Sequence, residues 1–284
     1  MKLGVTGASG QLGRLVVQQL LKTCDPADIV AIVRDPTKAA DLAAQGVQVR
    51  AADYEDRAAL EAAVAGLDKL LLVSSSQVGK RFVQHKNVID AAKAAGVKQI
   101  VYTSAPKATT SALVLAPEHK ATEEYLAGSG LDYTVLRNNW YTENYANSIK
   151  TASQTGELVA AAGSGRVASA ARNDYAEAAA AVLTGEGHGG KVYELTGDIA
   201  WGYEDLAAAI GEAAGCSCAY KPVAPEALKA AMLVAGLDEG TAGFVAALDA
   251  NIANGDLAEA TEDLKKLIGR PSTPLKDTVK KLVG

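Results

Sequence analysis

The sequence predicts an α/β protein: a doubly wound parallel sheet, followed by a smaller, mostly helical C-terminal lobe. Three observations support this prediction. Short β-branched segments alternate with Ala-rich helical segments, which is typical of parallel strands joined by right-handed crossovers. A glycine-rich turn follows the first strand. Four further glycines stand where a helix should end, shortly before a strand: Gly46, Gly66, Gly96 and Gly130.

The predicted elements alternate regularly as far as residue 137. Apolar residues recur at three- and four-residue intervals in segments such as AALEAAVAGL (58–67), as one buried face of a helix requires. The predicted strands lie near residues 2–6, 28–34, 47–51, 68–74, 98–103 and 132–137. The predicted helices lie near residues 11–23, 37–45, 56–65, 80–95 and 117–129.

After Trp140 the alternation becomes less regular and predicts a second, smaller unit. No Pro-, Ser- or Gly-rich linker separates the two parts. We therefore divide the chain into a first domain over 1–140 and a lobe over 141–284 that is packed on it and interleaved with it. The predicted elements of this lobe are helices near 143–154 and 172–184, strands near 157–162, 166–170, 191–196 and 218–221, and a mostly helical segment over 202–284.

The composition of the 284-residue chain argues against several classes of protein. No run of 18 apolar residues occurs, so we expect no membrane-spanning segment. A net charge of −5 argues against nucleic-acid binding, which needs clustered Lys and Arg. Cys216 and Cys218 have no further Cys or His nearby, so we expect no metal site and a reducing, cytoplasmic environment. The first strand begins at Lys2, which leaves no room for a leader peptide and supports the same location.

The glycine-rich turn LGVTGASGQLGRLV (3–16) has the spacing of a dinucleotide-binding fingerprint. Gly7 can form the tight turn, Gly10 can let a pyrophosphate approach the backbone, and Gly13 can let the helix lie close to the sheet. Free N–H groups at the start of the helix would then bind the phosphates. The alternative is an ordinary turn between a strand and a helix, and the flanking elements favour the fingerprint.

The charged residues in AIVRDPTK (31–38) indicate which dinucleotide binds. Proteins with this fingerprint usually place an acidic residue here to bind the ribose hydroxyls of NAD. Arg34 instead lies at the expected strand end, where its guanidinium can bind a 2′-phosphate; a solvated surface position is the alternative. Asp35 is the competing ribose ligand, but Asp35 followed by Pro36 is also typical of a helix start. With Lys38 adding positive potential, the pattern favours NADP(H).

Two further strand ends supply polar residues to the same edge of the sheet. Asp53 closes the third strand, where its carboxylate either accepts a hydrogen bond from the adenine amine or serves a turn or helix N-terminus. The fourth strand ends in KLLLVSSSQVG (69–79). There Ser74, Ser75 and Ser76 either line the ribose and nicotinamide side or form a polar loop.

The glycine spacing resembles the short-chain dehydrogenase/reductase superfamily, but the usual active site of that superfamily is missing. That site is a Tyr-x-x-x-Lys pair, which shuttles a proton. None of the ten tyrosines has Lys four residues later, and the nearest pair, Tyr133 with Arg137, falls in a predicted strand. Reduction of a simple ketone is therefore disfavoured, because it makes a strongly basic alkoxide. Reduction of a quinone makes a phenolate whose conjugate acid has a pKa of about 10, which hydrogen-bond donors and water can support.

The resemblance becomes more specific along nearly the whole chain and weakens after about residue 215. The chain resembles bacterial type 2 NAD(P)H:quinone oxidoreductases, of the atypical, NmrA-like branch, and more distantly triphenylmethane reductase. The segments that carry this resemblance are VTGASGQLG, AIVRDPTKA, KLLLVSSSQVG, AAKAAGVKQIVYTS, YTVLRNNWYTENY, GSGRVASAARNDYAEAAAAVL and KVYELTGD. It implies a Rossmann domain, a small C-terminal lobe and flavin-free hydride transfer from NADPH.

Carried over position by position, the resemblance implies four groups of cofactor-binding residues. They are Gly7, Ala8, Ser9, Gly10, Gln11 and Leu12; Arg34 with Ser74, Ser75 and Ser76; Asn138, Asn139, Trp140, Tyr141, Thr142 and Glu143; and Val167, Ala168, Ser169, Ala170, Ala171 and Arg172.

The segment LRNNWYTENY (136–145) also predicts a substrate site on its own terms. It follows the sixth strand at the carboxyl edge of the sheet, where ligands bind. Its aromatic rings can stack on a planar quinone, and its amides can bond the carbonyl oxygens. We expect Asn138 and Tyr141 to act in catalysis. The alternative is an aromatic corner packed against the C-terminal lobe, above all for Trp140 and Tyr145.

Lys120 is the remaining catalytic candidate, although it departs from the quinone reductase pattern. The related isoflavone-reductase-like branch uses a lysine near here as a catalytic base. On the predicted helix, Lys120 can instead pair with Glu124 one turn later, and His119 can pair with Glu123 in the same way.

The main functional prediction is an NADPH-dependent reductase of quinones or similar planar acceptors, without flavin. Two alternatives stay open: a non-catalytic NADP(H)-binding redox sensor of the NmrA type, and an ether or double-bond reductase that depends on Lys120. We expect no nucleic-acid or membrane partner, and a homodimer is compatible with the sequence.

Overall fold

A parallel sheet of seven strands forms the centre of the computed structural model, which describes residues 1–284. The strands of the chain are β1 (Leu3–Thr6), β2 (Ile29–Val33), β3 (Gln48–Ala51), β4 (Lys69–Leu72), β5 (Gln99–Ser104), β6 (Asp132–Asn138), β7 (Glu157–Ala160), β8 (Arg166–Val167), β9 (Val192–Leu195), β10 (Trp201–Gly202) and β11 (Ala219–Pro222). The central sheet has the order β3-β2-β1-β4-β5-β6-β9, and all its neighbouring strands are parallel. Two small sheets, β10-β8 and β11-β7, lie in the second half of the chain.

Twelve α-helices accompany the strands. They are α1 (Gln11–Leu20), α2 (Ala40–Ala44), α3 (Arg57–Val64), α4 (Arg81–Ala94), α5 (Ala116–Gly128), α6 (Ala146–Thr155), α7 (Arg172–Thr184), α8 (Tyr203–Ala214), α9 (Pro225–Val234), α10 (Glu239–Ala253), α11 (Asp263–Ile268) and α12 (Leu275–Val283). None of them is both long enough and apolar enough to cross a membrane.

Helices cover both faces of the central sheet, which confirms the doubly wound prediction. Side chains of a strand point alternately to the two faces. In β2, Ala31 packs in a core with α1 and α7, whereas Ile32 packs in a second core with α3 and α4. A third core, around Ile149, Tyr203 and Ile252, lies between α6, α8 and α10 and forms the centre of the C-terminal lobe.

The predicted helix ends are confirmed by backbone conformation. Gly46, Gly66, Gly96 and Gly130 each lie two residues after the end of a helix and have φ between 72° and 89°. This left-handed conformation favours glycine, because a Cβ atom would clash there.

Three predicted elements differ from the structure. The helix predicted over 37–45 begins as a 3₁₀ turn (Pro36–Ala39) before α2, and the helix predicted over 143–154 begins as a 3₁₀ turn (Thr142–Tyr145) before α6. The strand predicted over 166–170 shrinks to β8, because the backbone beyond it leaves the small sheet: Ala168 N–H donates to the Leu257 carbonyl.

The chain returns to the central sheet after residue 171. Helix α7 packs beside α1, and β9 pairs with β6 as the seventh strand. The segments that follow, from β10 to α12, include the lobe around α8 and α10. The division of the chain at residue 140 stays a prediction.

Candidate active site

A cavity of about 1030 Å³ opens at the carboxyl edge of the central sheet. The backbone turn after each of β1 to β6 contributes to its wall. In a parallel sheet of this kind, the carboxyl edge is where ligands bind. The first residues that these turns place on the wall are Gly7, Arg34, Ala52, Val73, Ala105 and Asn139.

The glycine-rich turn forms one end of the cavity and has the predicted geometry. Gly7 has φ +58°, and the Gly10 N–H donates to its carbonyl at 2.8 Å. A Cβ at Gly10 would come within 3.1 Å of the Gly7 carbonyl oxygen. A Cβ at Gly13 would lie 2.8 Å from the Gly7 carbonyl carbon, so only glycine lets α1 approach the turn this closely.

The start of α1 has unpaired N–H groups and an open face. Gly10 is its N-cap and supplies no side-chain cap, and its first turn carries no acidic residue. The first N–H groups of a helix have no partner inside the helix, and they attract anions. Gly7, Ser9, Gly10, Gln11 and Leu12 line the cavity, whereas Ala8 is buried behind the turn. The turn therefore fits a pyrophosphate.

Arg34 lies on the cavity wall, is exposed, and forms no ion pair within the protein. Asp35 does not line the cavity; its carboxylate accepts hydrogen bonds from the Thr37 amide (3.0 Å) and hydroxyl (2.6 Å), which confirms its role at the start of a helical turn. Lys38 does not reach the wall either, and its carbonyl accepts a hydrogen bond from Arg14. The unpaired positive charge on this part of the wall is thus the guanidinium of Arg34.

Asp53 lies on the cavity wall. Its carboxylate also accepts a hydrogen bond from the Glu55 amide at 2.9 Å, which stabilises the turn after β3. The next residue, Tyr54, was not predicted as a residue of the site. Its hydroxyl bonds the Val73 carbonyl at 2.8 Å, and burial raises its pKa. A tyrosine beside a strand-end aspartate was the signal that could have indicated it.

Ser74, Ser75 and Ser76 line the cavity at the end of β4; β5 fixes the first of them and helix α4 fixes the second. The Ser74 amide donates to Thr103 Oγ1 (2.8 Å), and the Ser75 amide donates to His85 Nε2 (2.9 Å). The Ser75 carbonyl accepts from Arg81 Nε at 2.7 Å. Arg81 and its neighbour Gln84 also line the cavity and were missed, although the start of α4 directly after this strand end was a signal that could have indicated them.

The segment after β6 forms the wall opposite these serines with Asn138, Asn139, Trp140, Tyr141 and Asn144. Asn138 Nδ2 donates to the Tyr141 hydroxyl at 3.1 Å, while Asn138 Oδ1 is buried without a partner. Burial raises the pKa of Tyr141, and the Arg172 guanidinium lies 5.0 Å from the centre of its ring. Arg172 also lines the cavity.

Two aromatic residues of this segment differ in position. Tyr145 belongs to the core of the lobe, with its ring centre 5.4 Å from that of Trp201 and 5.8 Å from that of Tyr203. Trp140 packs against the same core but also lines the cavity. Tyr145 is therefore the packed aromatic corner of the alternative interpretation, whereas Trp140 both packs against the core of the lobe and lines the cavity.

Other residues that the resemblance assigns to the cofactor lie behind the wall. The Glu143 carboxylate accepts from the Arg172 amide at 2.9 Å, and the Thr142 hydroxyl lies 2.8 Å from that of Ser169. The Thr142 amide donates to the Ala170 carbonyl, and Tyr141 pairs with Ala170. These contacts hold the 138–143 segment in place. The residues of this group that do not line the cavity are Thr142, Glu143, Val167, Ala168, Ser169, Ala170 and Ala171.

Lys120 lies away from the cavity. Its side chain is 48% exposed, and its Nζ lies 3.9 Å from Glu124 Oε1 one turn later. The suggested pair of His119 with Glu123 is wrong, because Glu123 bonds Arg137 (2.6 Å) and accepts from the Ser104 hydroxyl (2.6 Å). His119 turns inward instead and lines the cavity, as does Ser104.

The far end of the cavity is largely apolar, with Asp238 and Thr241 at the start of α10 as polar residues on the wall, and sequence reasoning missed it. It is formed by a loop before α5 and by the C-terminal lobe, whose α10 has no recognisable motif. Its apolar residues are Pro106, Leu113, Leu115, Phe244, Leu248 and Leu257.

Comparisons with known proteins agree with this geometry. An NAD(P)H-binding family model matches residues 7–186. The chain is 51% identical to quinone oxidoreductase 2 of Escherichia coli strain K12 over 280 residues, covering 99% of this chain and 98% of that protein. The crystal structure of the E. coli NADPH-dependent quinone oxidoreductase complexed with NADPH matches with TM-score 0.96 and 50% identity, covering 99% of this chain and 100% of that one. Citrobacter sp. triphenylmethane reductase complexed with NADP(H) matches with TM-score 0.95 and 43% identity, covering 99% and 100%.

The likenesses to the E. coli and Citrobacter proteins cover 99% of the chain, and they confirm the resemblance inferred from the sequence motifs. The chain therefore belongs to the NAD(P)H-binding, NmrA-like family that includes bacterial quinone oxidoreductase 2.

Proposed function

We propose that this protein is an NADPH-dependent quinone oxidoreductase that transfers a hydride directly to quinones or similar planar, electron-poor acceptors, without flavin. The observation that carries the proposal is the continuity of one cavity from the glycine-rich turn and Arg34 to the segment after β6. The relative that shares half of its residues with this chain is an NADPH-dependent quinone oxidoreductase.

The residues of the first half of the cavity fit NADP(H). The unpaired N–H groups of α1 and the space left by Gly10 suit the pyrophosphate, and the unpaired Arg34 suits a 2′-phosphate. Asp53 is placed to accept from the adenine amine. When bound, NADPH supplies the hydride. Ser74, Ser75 and Ser76, with Asn138 and Tyr141, would then hold and orient its reactive end.

We propose supporting roles for the residues behind the wall. Thr142, Glu143 and the segment 167–171 fix the position of the 138–141 backbone through their hydrogen bonds. They act on the cofactor through those residues, because they do not line the cavity.

The second half of the cavity suits a planar acceptor. Trp140 and Phe244 offer aromatic surface, and Asn139 and Asn144 add polar groups to a largely apolar compartment. A quinone is the acceptor that best fits a site without a Tyr-x-x-x-Lys pair, since its reduction needs charge stabilisation more than a strong acid.

Turnover of a quinone tests the proposal against the two alternatives. The protein is mixed with NADPH and 1,4-benzoquinone, and the loss of NADPH absorbance is compared with a blank without protein. Rates well above the blank are expected, together with a stoichiometric amount of hydroquinone. Tight NADPH binding without turnover would support a redox sensor instead. Loss of all activity in Lys120→Ala would support ether or double-bond reduction through that lysine.

A homodimer in the cytoplasm is our proposal for the state in which the protein acts. The sequence is compatible with a homodimer, and sedimentation velocity of the purified chain tests the oligomeric state. A single species at the 29.2 kDa mass of one chain would contradict the homodimer.

A further inference from the structure

One wall of the cavity carries a histidine whose second nitrogen has no partner. His119 on α5 is 4% exposed, and its Nδ1 lies 2.7 Å from the hydroxyl oxygen of Tyr102, which is fully buried on β5. No protein group bonds His119 Nε2. This atom is nevertheless not among the three fully buried polar atoms that lack a partner, so it reaches open space. The space beside His119 is the cavity.

We infer from the contact with Tyr102 which nitrogen of His119 carries the proton. The Tyr102 hydroxyl lies 2.7 Å from His119 Nδ1, and the hydroxyls of Ser104 and Thr122 also lie close to it. The nearby hydroxyls of Ser104 and Thr122 donate elsewhere, to Glu123 and to a main-chain carbonyl. A buried hydroxyl that does not donate loses a hydrogen bond, so Tyr102 donates and Nδ1 accepts. The neutral ring therefore carries its own proton on Nε2, the nitrogen that reaches the cavity.

The surroundings keep this ring uncharged. Burial, followed by the positive charge of Arg81, lowers the pKa of His119 to about 3. The carboxylates of the neighbourhood are already ion-paired: Glu118 with Arg81 at 3.4 Å, and Glu123 with Arg137 at 2.6 Å. The titratable or charged groups that face the ring are Arg81 and His85 on α4, Tyr102 on β5, and Glu118 and Glu123 on α5.

We propose that His119 is a catalytic residue that donates a hydrogen bond from Nε2–H to the carbonyl oxygen of the quinone on which negative charge develops. The inference rests on the proposed quinone reduction. In that reaction the acceptor gains a hydride and becomes the hydroquinone monoanion, while NADPH becomes NADP⁺. His119 keeps its proton, because a neutral imidazole is a very weak acid, and water supplies the proton that completes the hydroquinone. A fixed donor aimed at developing charge accelerates such a step without moving a proton itself.

Matched substitutions test this role by steady-state kinetics with 1,4-benzoquinone. His119→Leu removes the donor and should lower kcat/KM about 10- to 100-fold, with the Kd for NADPH unchanged. His119→Gln retains an N–H donor and should recover most of that loss. His188→Gln is the control and should match the wild type, because His188 bonds the Tyr193 hydroxyl (2.8 Å) outside the cavity.

The outcomes separate this inference from the proposed function. Equal kcat/KM for the wild type and His119→Leu would overturn the role of His119 and leave quinone reduction intact. A wild type without turnover would overturn both.

A measurement on the unaltered protein covers the case in which the variants do not fold. The ¹⁵N chemical shifts of the three histidines report which ring nitrogen is protonated. For His119 they should show a protonated Nε2 and an unprotonated Nδ1 at pH 7. The opposite tautomer, or a charged ring, would overturn the proposal.

Discussion

Arg34 and Asp35 are adjacent in the chain, and their contacts give them different roles. The Thr37 hydroxyl and amide both donate to the Asp35 carboxylate and lower its pKa. A carboxylate that is already bonded within its own turn is a poor ligand for a ribose. The Arg34 guanidinium has no such local partner and faces the cavity. The contacts of these two residues therefore favour binding of a ribose that carries a 2′-phosphate.

Substitution of Arg34 should change the choice of cofactor. In Arg34→Glu, one charge-assisted hydrogen bond is lost and repulsion is added, so the Kd for NADPH should rise at least ~10-fold. NADH lacks the 2′-phosphate and should bind almost as before. Fluorescence titration with both cofactors measures this. Lys22→Glu changes the net charge equally on an exposed residue outside the cavity, and it should leave both Kd values unchanged. Equal losses for NADPH and NADH in Arg34→Glu would contradict the assignment.

At the scale of elements, the approach of α1 to the turn after β1 places the helix start at the cavity. Gly13 permits this approach, since its missing side chain leaves room for the Gly7 carbonyl and Ala8 Cα. The sequence pattern predicted this element and its glycine correctly, because the requirement is local: a strand, a turn and a helix that follow one another directly.

Gly13→Ala should separate α1 from the turn. The added Cβ meets backbone atoms that cannot rotate away, so the free energy of unfolding should fall by about 1–3 kcal/mol. NADPH affinity should fall as well. Urea unfolding and an NADPH titration measure the two effects. Gly128→Ala is the matched control: it lies in α5 with no atom within 4 Å of the new Cβ, and it should be neutral or slightly stabilising.

A buried carboxylate on α7 holds the segment that leads into α12. Asp174 is fully buried and accepts hydrogen bonds from Arg270 (2.8 Å) and from the amide (2.7 Å) and hydroxyl (2.9 Å) of Thr273. Asp174→Asn places an N–H₂ group among these donors and should lower the free energy of unfolding by about 1–3 kcal/mol in urea. Asp277→Asn, an exposed change in the first turn of α12, should lower it by less than about 1 kcal/mol, since only a helix-terminus charge is lost. An unchanged midpoint for Asp174→Asn would contradict this anchoring role.

At the scale of the whole molecule, two buried histidines couple stability to pH. Burial is the largest cause that lowers their pKa values, to about 2 for His85 and about 3 for His119. In the unfolded chain both titrate near 6.5. Below that pH the unfolded state binds more protons than the folded state, so the free energy of unfolding decreases as the pH falls toward about 3.

Removal of one of these histidines should make the pH dependence shallower. One proton corresponds to a slope of about 1.4 kcal/mol per pH unit. In His119→Gln, the free energy of unfolding should therefore change less steeply with pH, by up to that amount, between about pH 6 and pH 4. Urea unfolding at each pH measures this. His188→Gln removes a partly exposed histidine and should change the slope less. A slope in His119→Gln equal to that of the wild type would show that His119 is not buried and neutral.

The sequence by itself determined the first six strands of the central sheet, the glycine-rich turn and the positive charge after β2; the seventh strand, β9, was expected in the smaller lobe. Each feature that the sequence determined depends on residues that are close together in the chain, such as Gly7 with Gly13, or Arg34 with the strand before it. The segment after β6 could also be located, because a parallel strand places its carboxyl end at the binding edge.

Only the tertiary structure decided the far side of the cavity. Phe244 lies on α10, and no local sequence pattern indicates that this helix forms part of the cavity wall. His119 and Lys120 are neighbours with the same local environment, yet burial against β5 turns one toward the cavity and leaves the other in solvent. Which side of a helix faces a ligand depends on what packs against it. That packing joins residues far apart in the chain, such as Tyr102 and His119 or Arg270 and Asp174, whose spacing carries no pattern that a single sequence can show.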